Sequence, residues 1–298
     1  MSFASNVKQE LIAGAGELAP CCVHALRYGL FLFARQFSVG EVHFTTESAD
    51  IAAFALDHLA ALGVTAKEVR AGRRKVDISV PEESGRLRLL RAFGHGPEDV
   101  TLRLNRANLA GECCFAALLR GAFLACATMT TPELNYHLEF SVGYRKLAGD
   151  LSALMREMDL APKSTIRKGV HMLYFKDSGL IEDTLTAMGA QGASLDLMGI
   201  KMEKNMRNHV NRKVNFETAN IFRAANAAAE QLEAVRQLRA SHGFAALPES
   251  LREAAELREA NPEATLAELC EEAEGEISRS GMSHRLKKLV LFSQNKKI

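Results

Sequence analysis

The sequence predicts an α+β chain in three parts: a duplicated αββαββ unit, a linker helix and an all-α C-terminal unit. Three observations lead there. Adjacent cysteines, Cys21-Cys22, recur as Cys113-Cys114 at an offset of 92 residues, inside similar apolar segments. The alanine-rich stretch 217–240 has no proline or glycine. The last 50 residues break into short amphipathic segments punctuated by Pro248, Asn261-Pro262 and Gly275. The boundaries drawn are 1–215 for the duplicated domain (repeats about 15–110 and 111–205), 216–246 for the linker helix and 247–298 for the helical domain.

The repeat is legible residue by residue. At the cysteine offset Ala25 meets Ala117, Leu26 meets Leu118, Gly29 meets Gly121, Phe31 meets Phe123 and Leu32 meets Leu124. Each apolar helix is followed by strand-like alternation (41–46 and 136–142) and an amphipathic helix (51–62 and 147–158). A basic turn and strands then follow (70–80 and 165–176). Glycine inside a helix costs about 1 kcal/mol against alanine, so Gly29 and Gly121 at equivalent positions imply a packing role. With Ala117 and Ala125 they form small-residue stripes that let two helix backbones approach closely. The alternative is chance small residues in buried helices.

Composition bounds the function. A chain of 298 residues suits two domains, and 47% hydrophobic residues exclude a disordered chain. Lys plus Arg is 37 against 36 for Asp plus Glu, a net charge of +1, which would exclude a strongly basic nucleic-acid binder if the charge were evenly spread. It is not evenly spread. Residues 249–276 hold ten glutamates against Arg252 and Arg258, while 277–298 hold six basic residues and no acid. The N-terminus lacks a basic region followed by an apolar core, and the apolar stretch 25–37 is interrupted by Arg27 and Arg35. A cytoplasmic chain without membrane association is expected. The cysteines show no Cys-x-x-Cys and no histidine at ligand spacing, so buried reduced thiols are expected, with no metal and no cofactor.

Two regions are candidates for nucleic-acid contact. Residues 201–213 (KMEKNMRNHVNRK) carry five basic residues against one acid, with Arg207, Asn208, Arg212 and Lys213 of the types that meet phosphates and base edges. A solvated, turn-rich interdomain stretch is the alternative. The basic turn Arg73, Arg74, Lys75, with Arg167-Lys168 in the second repeat, is a further candidate. Within the linker, Ile221, Ala225, Ala228, Leu232 and Val235 form a narrow apolar seam, read as a connecting helix docked on a domain.

The C-terminal segments supply the sharper pattern. Leu251, Ala254, Ala255 and Leu257 give an inner face to a helix opened by Pro248. Thr265 with Glu268 forms a capping box for a short helix. After a turn around Gly275, Ser278 or Ser280 caps a last helix with Met282, Leu286, Leu289 and Val290 inward. Short helix, glycine turn and capped basic helix is the helix-turn-helix pattern. At about 100° per residue Ser280, His284, Lys287 and Lys288 point outward, with Arg279, Ser283 and Arg285 on the flanks. All seven are candidate DNA contacts. A three-helix interaction module is the alternative.

The duplicated part resembles the LAGLIDADG homing-endonuclease fold, with windows 27–35 (RYGLFLFAR) and 119–127 (LRGAFLACA) aligned to its nine-residue motif. That family's nucleases need an acidic residue at the eighth position of each motif to hold divalent metal. Here those positions are Ala34 and Cys126, neither of which suits a hard Mg²⁺, so no catalytic residue is assigned. Glu112 and Glu133 are the carboxylates left to consider. The whole chain resembles the WhiA family through four stretches in order: 2–11, 120–125, 206–215 with 217–220, and 277–286. The resemblance implies a degenerate, non-cleaving homing-endonuclease domain linked to a promoter-binding helix-turn-helix. It implies transcription control in cell division and chromosome segregation, with sporulation in some lineages. It places the protein on nucleoid double-stranded DNA, with another transcription or division protein as a further partner. A monomer is favoured, because the duplication already supplies pseudo-symmetry. An active endonuclease and a protein-interaction adaptor of the division machinery are the alternatives.

Overall fold

Short helix α1 (Phe3–Ala13) opens the chain, its first turn capped by Ser2, whose Oγ accepts the Ser5 N–H at 3.2 Å. Two copies of one unit follow. The first comprises α2 (Pro20–Leu32), β1 (Gln36–Phe37), β2 (Val42–Thr46), α3 (Ala49–Ala60), β3 (Lys67–Ala71), β4 (Lys75–Ser79) and α4 (Glu83–Ala92). The second comprises α5 (Glu112–Cys126), β5 (Ala127–Met129), β6 (Leu138–Val142), α6 (Arg145–Glu157), β7 (Lys163–Arg167), β8 (Val170–Phe175) and α7 (Ser178–Met188). Helices α4 and α7 extend the expected αββαββ order by one element in each copy. This computed structural model describes residues 2–71, 75–99, 101–241, 243–273 and 277–295.

The two sheets are antiparallel and have the same strand order, β1-β2-β4-β3 and β5-β6-β8-β7. Burial alternates along β2 and β6, so Val42, Phe44, Leu138, Phe140 and Val142 face the core while their neighbours face outward. Phe44 pairs with Ile78 and Phe140 with Leu173, which keeps each inner face continuous across its sheet.

Helices α2 and α5 cross at the two glycines. A Cβ on Gly29 would lie 2.2 Å from the Leu118 carbonyl oxygen, and one on Gly121 2.2 Å from the Leu26 carbonyl oxygen. The reciprocity means that each helix presents the same face to the other, backbone against backbone. Ala117 is buried and Ala125 half-buried on α5, while Leu26, Leu30, Phe31, Leu118, Leu119 and Phe123 fill the surrounding core. Arg120, next to the crossing, is 6% exposed and donates from Nε to the Met188 carbonyl at 2.7 Å, closing the end of α7. Gly189 follows with φ +87°, and a side chain there would meet Arg120 Nη2.

The long helix α8 (Gln191–Ala240) begins well before the linker helix expected from 216 onward. The cause lies in α1. Both carboxylate oxygens of Glu10 accept helix-start N–H groups, from Gly192 at 2.7 Å and from Ala193 at 2.9 Å. An anion there satisfies unpaired donors and opposes the positive helix end. Once the first turn is held, each further residue adds a bond at low cost, so 201–213 continue as helix and not as a turn-rich stretch. The apolar seam docks only over its second half: Ala228 and Val235 are buried with Gln231, Ala234 and Leu238, whereas Ile221 and Ala225 are exposed.

By its contacts the chain divides into a unit of Met1–Lys204 and a unit of Asn205–Ile298. In the second, the end of α8 packs with α9 (Glu249–Ala260), α10 (Leu266–Glu271) and α11 (Arg279–Asn295). Its core is Val235, Leu238, Leu247, Leu251, Ala254, Ala255, Leu269, Met282, Leu286 and Leu289. Position 258, on the inner face of α9, holds an arginine only 3% exposed. Arg258 donates to Gln231 Oε1 at 3.0 Å and to the Ala264 carbonyl at 2.7 Å, so it fastens α8 to the loop that enters α10.

Candidate nucleic-acid interface

Local chemistry sets the two helices of the motif. The Thr265 hydroxyl accepts the Glu268 N–H at 3.3 Å and the Glu268 carboxylate accepts the Thr265 N–H at 2.7 Å, the reciprocal box that starts α10. Ser278 starts α11: its hydroxyl accepts the Gly281 N–H at 3.2 Å and its carbonyl the Met282 N–H at 2.9 Å. The turn expected around Gly275 lies outside the described residues.

Helix α11 is divided by face. Met282, Leu286 and Leu289 are fully buried, while Arg279, Ser280, His284, Lys287 and Lys288 are exposed and Ser283 is half-buried. Arg279, Ser283 and Lys287 border a groove shared with Ala228 and Leu266. His284 and Lys288 border a second groove, with Pro248 and Leu251. Between these grooves the crest of the helix stands free. Arg285 departs from expectation: its Nη1 lies 3.0 Å from Glu253 Oε2, so its charge is turned back onto α9. Leu291 and Phe292, 56% and 42% exposed, continue the crest as apolar surface. Sequence reasoning passed over them, although the same 100° rotation carried past Val290 places Leu291 in line with Ser280 and His284.

At the α2–α5 axis the chemistry is unlike a hard-metal site. Ala34 is buried and offers no ligand atom. Cys126 ends α5, and burial pushes its thiol up to about 12 against a Ser141 backbone bond and the charge of Lys8. Lys8 is close enough to feel Cys126 and Glu47, and burial pulls its ammonium below the usual lysine range. A methyl group and a thiol therefore stand at the two positions that would need carboxylates, and the nearby Glu47 faces the Lys8 ammonium. Glu112 begins the helix that Cys126 ends, about 21 Å away at 1.5 Å per residue. Glu133 lines a hollow with Ser2, Asn6 and Asp196 that includes neither Ala34 nor Cys126.

Two family models match: the WhiA LAGLIDADG-like domain over residues 115–207 and the WhiA C-terminal HTH domain over 210–292. The "Probable cell division protein WhiA" of Alkaliphilus metalliredigens is 35% identical over 306 residues, spanning 97% of this chain and 96% of that one. The chain belongs to the WhiA family. A relative of the same name from Desulforudis audaxviator is 36% identical, spanning 99% and 97%. The crystal structure of full-length WhiA from Thermatoga maritima has the same fold, with a TM-score of 0.59 at 22% identity over 99% of both chains. The isolated N-terminal LAGLIDADG domain of WhiA aligns with a TM-score of 0.50 at 18% identity, over 64% of this chain and 94% of that one. The architecture is thus the WhiA one, a LAGLIDADG-like α+β domain, a long helix and a helix-turn-helix.

The remaining candidate residues fall in both units. Arg207, Asn208, Arg212 and Lys213 are all exposed on α8, but at 100° per residue only Asn208 and Arg212 share a face. Lys201 pairs with Glu182 at 3.2 Å, and Lys204 donates to the Pro132 carbonyl at 2.6 Å while lying over the Tyr136 ring. Arg73 and Arg74 lie outside the described residues; Lys75 is 3.5 Å from Asp77, and Arg167 is 3.8 Å from Glu139. Asp77 is kept ionised chiefly by the Thr45 hydroxyl, at 2.7 Å, with Lys75 and His43 beside it. Among the described residues α8 forms no helix apolar enough to cross a membrane, nor does any other.

Proposed function

We propose that this protein is a sequence-specific, double-stranded-DNA-binding transcription regulator. It acts on the nucleoid in cell division and chromosome segregation, and in sporulation where the lineage sporulates. The observation that carries this reading is the split of α11: three fully buried apolar residues lock one face while Arg279, Ser280, His284, Lys287 and Lys288 stand exposed on the other. The N-terminal half of such a helix enters the major groove, where arginine, serine and histidine reach base edges and the lysines reach phosphates. Promoters are the class of site that suits it.

The duplicated domain serves as a scaffold and has no nuclease activity. Support comes from Ala34 and the thiol of Cys126, which offer no hard oxygen ligand at the motif positions, and from the ammonium of Lys8, which offsets the nearby Glu47 carboxylate. Chromatin immunoprecipitation of the intact chain beside Arg279→Ala/Lys287→Ala/Lys288→Ala tests the first claim. Promoter peaks should vanish in the triple variant, and peaks of full height would refute it. Incubating supercoiled plasmid with the protein and Mg²⁺ or Mn²⁺ tests the second: the plasmid should stay intact.

An adaptor role toward another transcription or division protein is a second reading. It is favoured by Met206, Val210, Val214 and Ile221, 52–68% exposed on one face of α8.

A further inference from the structure

We propose that Cys21, Cys22, Cys113 and Cys114 form a tetrathiolate site for one zinc ion at the N-terminal ends of α2 and α5. In sequence these are two vicinal pairs far apart, with nothing to join them. The fold brings all four Sγ atoms within 4.8 Å of one another. At a zinc–sulfur distance of 2.3 Å, a regular tetrahedron sets its sulfurs about 3.8 Å apart. The Cys21 and Cys22 sulfurs already lie 3.9 Å apart, and the others need move inward by about 1 Å at most, within the reach of small χ1 adjustments.

The closeness is a consequence of the helix crossing. Cys22 precedes Gly29 by seven residues and Cys114 precedes Gly121 by seven, so each pair sits two turns ahead of the point where the backbones touch. Each repeat thus contributes half of a pseudo-symmetric ligand set. Cys22 and Cys114 are buried, Cys21 is half-buried and Cys113 exposed, which leaves an entry path from one side.

The surroundings suit the charge. Zn²⁺ with four thiolates carries a net −2. The positive ends of two helices face this charge. Arg120, a buried cation, interacts electrostatically with Cys22, and its Nη1 is buried with no hydrogen-bond partner among the described residues. Thiolates select soft or borderline ions, and four of them around one ion form a closed structural site with no open position for catalysis. A multi-iron cluster would force the thiolates apart around its inorganic core. On binding, each thiol loses its proton to solvent and the sulfur lone pair forms the bond to zinc, with no change of oxidation state. The ion would staple the two repeats together at the axis.

The test uses the full chain, purified under reducing conditions, with Co²⁺ and Zn²⁺ as probes. Titration with Co²⁺ should develop sulfur-to-cobalt charge-transfer bands and the intense visible bands of a tetrahedral thiolate site, saturating at about one ion per chain. Zinc should bleach them. In the folded protein Cys21 and Cys113 should react with a mild alkylating reagent without zinc and resist it once zinc is loaded, and Cys270→Ser should bind as the parent does. Cys22→Ser and Cys114→Ser should lose the bands, with circular dichroism checking that each still folds. The alkylation pattern of the unsubstituted chain decides the matter if they do not. Absence of the cobalt bands, alkylation of Cys21 and Cys113 as fast with zinc as without it, or a disulfide among the four in anaerobically purified protein would each overturn the proposal.

Discussion

Replacing Lys287 and Lys288 by alanine removes two of the three basic side chains that α11 exposes without an internal partner among the described residues, Arg279 being the third. Each lysine that neutralises a phosphate contributes about 0.9 to the slope of log K against log salt. The double variant should therefore flatten that slope by about 1.8. The same coefficient sets the affinity loss: about 30-fold at 0.15 M salt and about 200-fold at 0.05 M, closing toward no difference near 1 M. The 0.15 M loss corresponds to about 2 kcal/mol. Fluorescence anisotropy of a labelled promoter duplex over a salt series reads both quantities. Arg285→Ala is the internal control. Because its guanidinium is paired with Glu253, it should leave the slope alone and lower the thermal midpoint instead. An unchanged slope in the double variant would refute the assigned face of α11. So would an Arg285→Ala variant that flattens the slope as much as Lys287→Ala.

Three further predictions concern packing and stability. Gly121→Ala gains about 1 kcal/mol of helix propensity but drives a Cβ into the Leu26 carbonyl, an overpacking cost of about 1–3 kcal/mol or more. Its thermal midpoint should fall, and a rise would mean that the helices do not cross there. Arg258→Ala leaves Gln231 Oε1 and the Ala264 carbonyl without their donor, so urea unfolding should register a loss of about 2–4 kcal/mol, with little recovered by Arg258→Lys. His58 is pulled down from 6.5 to about 4, first by burial and then by Arg27, whose Nε donates to its Nδ1. Between pH 6.5 and 4 the unfolded chain binds the proton more readily, so stability present above 6.5 is lost as the pH falls through that window. With its partial exposure discounted, the contribution is about 1–2 kcal/mol. His58→Gln should show a flatter urea-midpoint profile from pH 7 to 4.5, and a profile as steep as the parent's would count against it.

Local patterns were legible because the information in them is local. The offset between cysteine pairs announced the duplication, and the apolar spacing of Met282, Leu286 and Leu289 announced which face of α11 is hidden. The Thr265–Glu268 box could be read from two letters. What was not legible depends on partners distant in sequence. The start of α8 is set by Glu10, 182 residues earlier, and no property of 191–200 reveals it. Arg258 sits at a core position because Gln231 and the Ala264 carbonyl meet it there. Arg285 looked free from its own helix and is held by Glu253, 32 residues back. For 201–213 a turn-rich stretch stood open as the alternative, but helix cooperativity from a well-capped end overrode it.

The carboxylate that starts α8 also orders events in time. Glu10 is made first, and the amides it must hold are made 182 and 183 residues later. At about 5–20 residues per second that interval lasts roughly 10–40 s. The first αββαββα copy, complete at Ala92, can close on itself well within it. Helix α1, with Val7 and Leu11 fully buried in the finished fold, can settle meanwhile on α3 and then on β5. What waits for synthesis of residues 191–193 is the Glu10 carboxylate, and the start of α8 is a join that only then can close.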